Sequence, residues 1–494
     1  MGWAIYRMDY TAQRRKLMMR DSNILFYQKP ILPMMPRSLV KMLALVPVLL
    51  IPVLAAGAGS TQQTFETTLA NGLRVIVRED HRAPTVVHMV WYRAGSIDEF
   101  DGTSGVAHIL EHMMFKGTGK VGPGEFSKRV AALGGRDNAF TSRDYTAYFQ
   151  QVPKRALDQV MALEADRMAN LQLTEKEFKP ELQVVMEERR MRTDDNPQAL
   201  VYEQMNAAAF QTHPYRRPVI GWMSELEQMT YQDARDWYRR WYAPNNAWLV
   251  VVGDVSHTEV FRQAQKHYGG IKRHALPNRR PLGEPVQTGT KRLTVKAPAK
   301  LAYLALAWKV PKLKDVDQDR EPYALEMLAS LLDGHDAARL AKHLVRGQKI
   351  AQSAGASYDA TLRGEPLFIL DGQPAEGKTV GDLEVALRAE VKRIQDEEVS
   401  PDELARVKTQ TIAGQIYKRD SMMGQAMEIG GVEVIGLSWR DVDKTLDKIR
   451  SVTAAEVQAV ARKYFKDDGL TVAVLDPQPL PAATAKSAPS GLRH

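Results

Sequence analysis

The chain has 494 residues, 44% of them hydrophobic and 26% charged, which excludes a disordered chain and leaves room for two or three domains. Its formal charge of +8 is concentrated at one end: residues 1–41 hold eight basic side chains against Asp9 and Asp21, and the remainder is close to neutral, so no basic surface for nucleic acid is expected. Cysteine is absent, which excludes a disulfide framework and thiolate metal ligands.

Residues 1–58 read as a leader. Arg37 and Lys41 precede an apolar run from Met42 to Ala58, and Ala56-Gly57-Ala58 fits a small-x-small cleavage site. The expectation is export to the periplasm, with an uncleaved leader anchored in the inner membrane as the alternative. The stretch before the leader suggests a start placed too early, with Met34 or Met35 as the true first residue.

From about Thr64 the chain becomes structured. Leu73–Val77 and Val86–Tyr92 are rich in β-branched and aromatic residues and read as strands. Val106–Lys116 reads as a helix, capped near Thr103 or Ser104 and stopped at Gly117. Helical patterns follow around 124–134, 154–171 and 175–193, and Trp248–Gly253 is a buried strand closing the first half. Pro277, Pro281 and Pro285 mark a linker over 274–289. Strands return at Lys291–Lys296 and Leu301–Val310, and the Pro-, Ala- and Ser-rich tail from Pro477 to His494 reads as unstructured.

An internal repeat supports two related halves. TYQDARDWYRRWYAPNNAWLVVV (230–252) and TAAEVQAVARKYFKDDGLTVAV (453–474) each run from a polar-capped helix through an aromatic pair and a polar turn into a strand. The expected fold class is α+β, with two homologous α/β sandwich domains at 62–273 and 290–476.

His108-Ile-Leu-Glu111-His112 carries the chemistry. On a helix, residues i and i+4 share a face and i+3 lies beside them, so two imidazoles can hold one ion with a carboxylate adjacent. The order His-x-x-Glu-His is the inverted form of the zinc-peptidase motif. It makes His108 and His112 metal ligands and Glu111 the general base. A catalytic zinc takes a third protein ligand, here His, Asp or Glu. In ELQVVMEE (181–188), Glu181 and Glu188 are two turns apart and face one side. Glu188 is the expected ligand and Glu181 the group that orients a histidine.

With these motifs on the page, the chain resembles the pitrilysin, insulinase and mitochondrial processing peptidase family over roughly residues 64–476. The resemblance rests on GVAHILEHMMFKGT (105–118), GGRDNAFTSRDYTAYF (134–149), ELQVVMEERRMR (181–192), HPYRRPVIGW (213–222) and YAPNNAWLVVVGDV (242–255). It implies one zinc ion per chain on His108, His112 and Glu188, and hydrolysis of unfolded peptides or small proteins. It implies half of a clamshell, with antiparallel-rich sheets packed with helices, that dimerises around a chamber. It places Asn138, Ala139 and Phe140 on an edge strand that binds substrate backbone, and makes His213 part of a structural loop. Active relatives also carry an Arg and a Tyr seven residues apart in the second domain. Here Val345 and Gln352 hold those positions, with Arg346 and Tyr358 available only after a slip in alignment. A homologous partner subunit supplying that pair is therefore expected, with a homodimer as the alternative. A non-catalytic assembly or binding subunit is the rival reading.

Overall fold

The computed structural model describes residues 63–280 and 283–480; the leader with its cleavage site lies outside the described residues, as do residues 481–494 of the tail. Residues from Gln63 onward form one contact unit that holds two sheets.

The first sheet is built from β1 (Thr64–Thr68), β2 (Arg74–Glu79), β3 (Thr85–Tyr92), β4 (Arg136–Thr141), β5 (Thr146–Pro153) and β6 (Ala247–Gly253), in the order β1-β2-β6-β3-β5-β4. The helices of this half include α1 (Val106–Met113), α2 (Glu125–Ala132), α3 (Leu157–Asn170), α4 (Glu175–Arg189), α5 (Pro197–Ala209), α6 (Tyr231–Trp241) and α7 (His257–Tyr268). The second sheet has β7 (Lys291–Pro298), β8 (Tyr303–Lys309), β9 (Ala351–Ser357), β10 (Leu367–Pro374) and β11 (Leu470–Gln478), in the order β7-β11-β8-β10-β9. Its helices include α8 (Glu321–Asp333), α9 (Val380–Asp396), α10 (Pro401–Lys418), α11 (Met422–Ile435), α12 (Val442–Ser451) and α13 (Ala454–Tyr464).

The two sheets repeat one topology. Without β1, each runs from a parallel pair (β2 with β6, β7 with β11) into antiparallel neighbours and ends on a free strand, β4 or β9. The segments that carried the sequence repeat become α6 with β6 and α13 with β11, and both helices start with a capping box, Thr230 with Asp233 and Thr453 with Glu456.

Strand alternation decides where the cores sit. In β3, Val86, Val90 and Tyr92 face a core shared with α1, α3, α4, α6 and α7, whereas Val87, Met89 and Trp91 face the other way. A strand buried on both faces needs a second cover, and α11 from the second half supplies it through Met422, Ala426 and Ile429. The exchange is reciprocal. Val201, Met205 and Ala209 of α5 cover the outer face of β8, β10 and β11.

Three expectations shift. The first half does not close on β6, because α7 follows and packs Val260, Ala264 and Tyr268 into the first core. The tail begins later than Pro477, because Pro477 and Gln478 still pair with Ala297 and Pro298 in the parallel β11–β7 ladder. The described part of the 274–289 linker has no helix or strand, yet it is held down: Arg279 Nε donates to Asp98 at 2.8 Å, and Glu284 accepts from the amides of Gln211, Thr212 and His213.

Candidate metal centre

The site starts with how α1 begins. Its N-cap is Gly105, at φ +89°, a left-handed conformation that glycine adopts without steric cost. A side chain there would lie 2.6 Å from the carbonyl oxygen of Ile220, and Gly221, also at φ +89°, meets Ser104 in the same way. The expected cap at Thr103 or Ser104 is therefore not made. Ser104 Oγ instead accepts from the amide of Trp222 at 3.0 Å. Glu99 takes over the helix terminus: its two oxygens accept from the amides of Gly105 (3.0 Å) and Ala107 (2.9 Å). The helix itself ends at Met113, three residues before Lys116, and a turn carries the chain to Gly117.

One turn of α1 presents His108, Glu111 and His112, and α4 brings Glu188. The ligand-capable atoms of His108, His112 and Glu188 lie within 4.8 Å of one another. Glu188 Oε2 is 3.3 Å from His112 Nε2 and 3.8 Å from His108 Nε2. Glu181, two turns earlier on α4, receives His112 Nδ1 at 2.9 Å and pairs with Lys116. That bond fixes the ring and leaves Nε2 turned to Glu188. Among the described residues this is the one group of three or more such side chains close enough to hold an ion, and His213 is not in it. His213 is buried beside Gly364, and its Nδ1 accepts from the amide of Tyr215 at 3.2 Å.

The three groups differ in protonation. Burial presses His108 down to about 3, so its imidazole is neutral. Burial also acts downward on His112, but hydrogen bonds to Glu181 and Glu188 outweigh it and raise the ring to about 9. Burial acts upward on Glu188, yet His112, His108 and Arg192 pull it to about 2. Two imidazoles and a carboxylate form a donor set suited to zinc, and no thiolate competes.

Glu111 is buried, and burial raises its carboxyl above the ordinary range. Thr141 Oγ1 donates to its Oε2 at 2.6 Å. Thr141 ends β4, the strand whose outer edge carries no neighbour in the sheet. Asn138, Ala139 and Phe140 lie on that strand. Ala139 packs toward the first core on the same face as Thr141. Phe140 turns to the opposite face, 5.7 Å from Trp91 between ring centroids, and exposed Asn138 shares its side of the pleat. What these residues offer at the free edge is backbone.

The sequence reading missed four contributors. Glu99 lies six residues before the N-cap of the helix it holds, and only the fold brings it there. Thr141 and Lys116 acquire their roles through tertiary contacts with Glu111 and Glu181. Arg192 had a readable signal, its i+4 spacing from Glu188, and its Nη1 lies 2.5 Å from Glu188 Oε1.

The family pattern described as insulinase (peptidase family M16) matches residues 74–222, and the peptidase M16 inactive domain matches 228–411. The chain is 33% identical to the zinc protease PqqE of Helicobacter pylori over 455 residues, covering 89% of this chain and 99% of that protein. It is 26% identical to a probable mitochondrial-processing peptidase subunit beta of Arabidopsis thaliana, covering 85% and 80% of the two chains. Among solved structures, a protease from Helicobacter pylori superposes with a TM-score of 0.80 at 31% identity, over 84% of this chain and 100% of that one.

Proposed function

The chain belongs to the insulinase family of peptidases, family M16, and from that premise we propose that it is a zinc-dependent endopeptidase acting on unfolded peptides or small proteins. The observation that carries the reading is the convergence of His108, His112 and Glu188 beside a buried Glu111 that is tethered to a free strand edge. A zinc ion held by those three side chains would supply Lewis acidity toward a peptide carbonyl and ease the deprotonation of an attacking water. Glu111 accepts the water proton and passes it to the leaving amine, and its raised pKa suits both halves of that task. The Thr141 hydroxyl holds the carboxylate in place. An extended substrate adds to β4 through main-chain hydrogen bonds, with Asn138, Ala139 and Phe140 offering backbone groups.

The reading extends to one zinc per chain, a dimeric chamber, and an exported, periplasmic enzyme. The leader sequence supports export, and among the described residues no helix is long and apolar enough to cross a membrane. The rival is a non-catalytic binding or assembly subunit; the missing Arg–Tyr pair speaks for it. Metal analysis with a digest of unfolded peptides separates the two. The peptidase reading expects one zinc per chain and cleavage that stops with chelator and returns with zinc. Metal-free protein that binds peptides but never cleaves them overturns it.

A further inference from the structure

Arg189 ends α4 and Arg190 and Arg192 follow in the next turn, and the fold sends the three to different places. Arg189 is buried against Glu203 and the carbonyl of Gly221. Arg190 pairs with exposed Glu187 on the outer surface. Arg192 lies in the π-helical turn Arg190–Asp194 and reaches back to Glu188. Its side chain is 71% exposed, so most of its donors face solvent at the rim of the metal group.

Glu188 is thereby shared. One oxygen faces the two imidazoles and the other faces Arg192. The local charge count then matters. Glu181 and Lys116 cancel each other. A divalent ion would be balanced by Glu188 and Glu111, and Arg192 would leave one positive charge in excess beside the reacting bond. A strand added to β4 alternates its side chains, so every second one turns to the face where Thr141, Glu111 and the metal group stand.

We infer that Arg192 is a specificity-determining residue that selects peptides with an acidic side chain flanking the scissile bond. The inference rests on reading this group as a peptide-hydrolysing zinc centre. A planar guanidinium with free donors pairs with a carboxylate, and an ammonium group placed there meets like charge. Arg190, bound outward to Glu187, has no part in the selection.

The test uses the full chain as a zinc-loaded Glu111→Gln protein, so that binding is read without turnover. Fluorescent peptide pairs carry Glu or Lys at the residue before or after the scissile position, and affinities are measured by anisotropy. The Glu peptides should bind about tenfold or more tightly than the Lys peptides at one of the two positions. Adding Arg192→Gln should shrink that preference several-fold with zinc content unchanged, a remainder persisting because Glu111→Gln has itself removed one of the balancing charges. Arg192→Lys should keep part of the preference, and Arg190→Gln should keep all of it. Equal binding of Glu and Lys peptides by the starting protein overturns the inference. So does loss of zinc in Arg192→Gln with the preference intact, which would make Arg192 only a support for Glu188. If acidic peptides are preferred but the zinc-loaded wild-type chain cleaves none of them even when mixed with a homologous chain carrying the Arg and Tyr, the peptidase reading fails while the selectivity of Arg192 stands.

Discussion

Glu111 and Glu188 are both carboxylates on buried helix faces, yet their surroundings separate them. Glu188 touches both imidazoles and a guanidinium and stays ionised. Glu111 sees burial and a hydroxyl, which leaves it able to take up a proton. Glu111→Gln should therefore keep zinc and lower turnover by about 100–10,000-fold. Glu181→Gln, which leaves His112 a neutral acceptor in place of a carboxylate, should weaken zinc affinity by about 10–100-fold, and Glu188→Gln by more, because a ligand is lost. Zinc titration beside peptide turnover for the three variants checks the order; equal zinc loss in all of them would contradict the division of roles. His112 adds a pH dependence. With no ion bound, its pKa is raised from 6.5 to about 9, so the ring is protonated at neutral pH and must release that proton to bind metal. Zinc affinity should rise about tenfold per pH unit up to roughly 9, with about one proton released per ion in calorimetry at pH 7. In the metal-free protein the pair with Glu181 and Glu188 contributes stability that is complete below 6.5 and lost as pH climbs through about 9. Calorimetry showing no proton release would remove this account.

The helix α1 shows how much an element reveals about itself and where it stops. Its three site residues were legible because i, i+3 and i+4 converge on any helix, and Glu188 was legible because seven residues make nearly two turns. The cap was not, since a serine and a threonine in the right place lose to a glycine in the left-handed region and a carboxylate from an earlier turn. Glu99→Gln tests that substitute cap. The two oxygens of Glu99 accept two backbone amides, and an amide side chain would turn a donor toward one of them. The expected cost is about 1–3 kcal/mol in denaturant unfolding of the metal-free protein. Zinc affinity should fall as well, because His108 sits in the first turn that Glu99 anchors. An unchanged unfolding midpoint would show that the terminus is held in some other way. Strand β4 and its place at the sheet edge were readable only through the family resemblance, because its residues are no more than partly buried and show no clear alternation; the sheet order does put it at the edge.

At the scale of the whole chain, the halves exchange helices, and no sequence pattern announced it. Periodicity tells which residues of α5 and α11 are buried, not that each lies on the other half's sheet. One close approach between the halves is at Gly430 of α11, where an added methyl would lie 2.1 Å from the Trp91 ring. Gly430→Ala should cost about 1–3 kcal/mol through overpacking, read in thermal unfolding, although the residue is far along the chain from the metal group. A neutral outcome would mean that α11 can shift on the sheet. The same architecture frames the question of partners. In the second half, Val345 packs beside the second core, Gln352 is exposed on β9, and Tyr358 donates to the carbonyl of Pro311 at 2.5 Å. None of these offers a paired guanidinium and free phenol, and Tyr358 is already committed, which removes the slipped alignment as a simple remedy. A hydrolysing centre that lacks donors for the developing oxyanion loses roughly 100–1000-fold in rate per donor. The purified chain alone should therefore bind zinc and peptide but turn over slowly. A homologous chain carrying the Arg and Tyr in its second half should raise the rate by about that factor when mixed in equal amount. Its effect should vanish when that Arg is replaced, and it should need Glu111 only on the chain described here. Full-speed cleavage by the isolated chain would show that it stabilises the oxyanion without a partner.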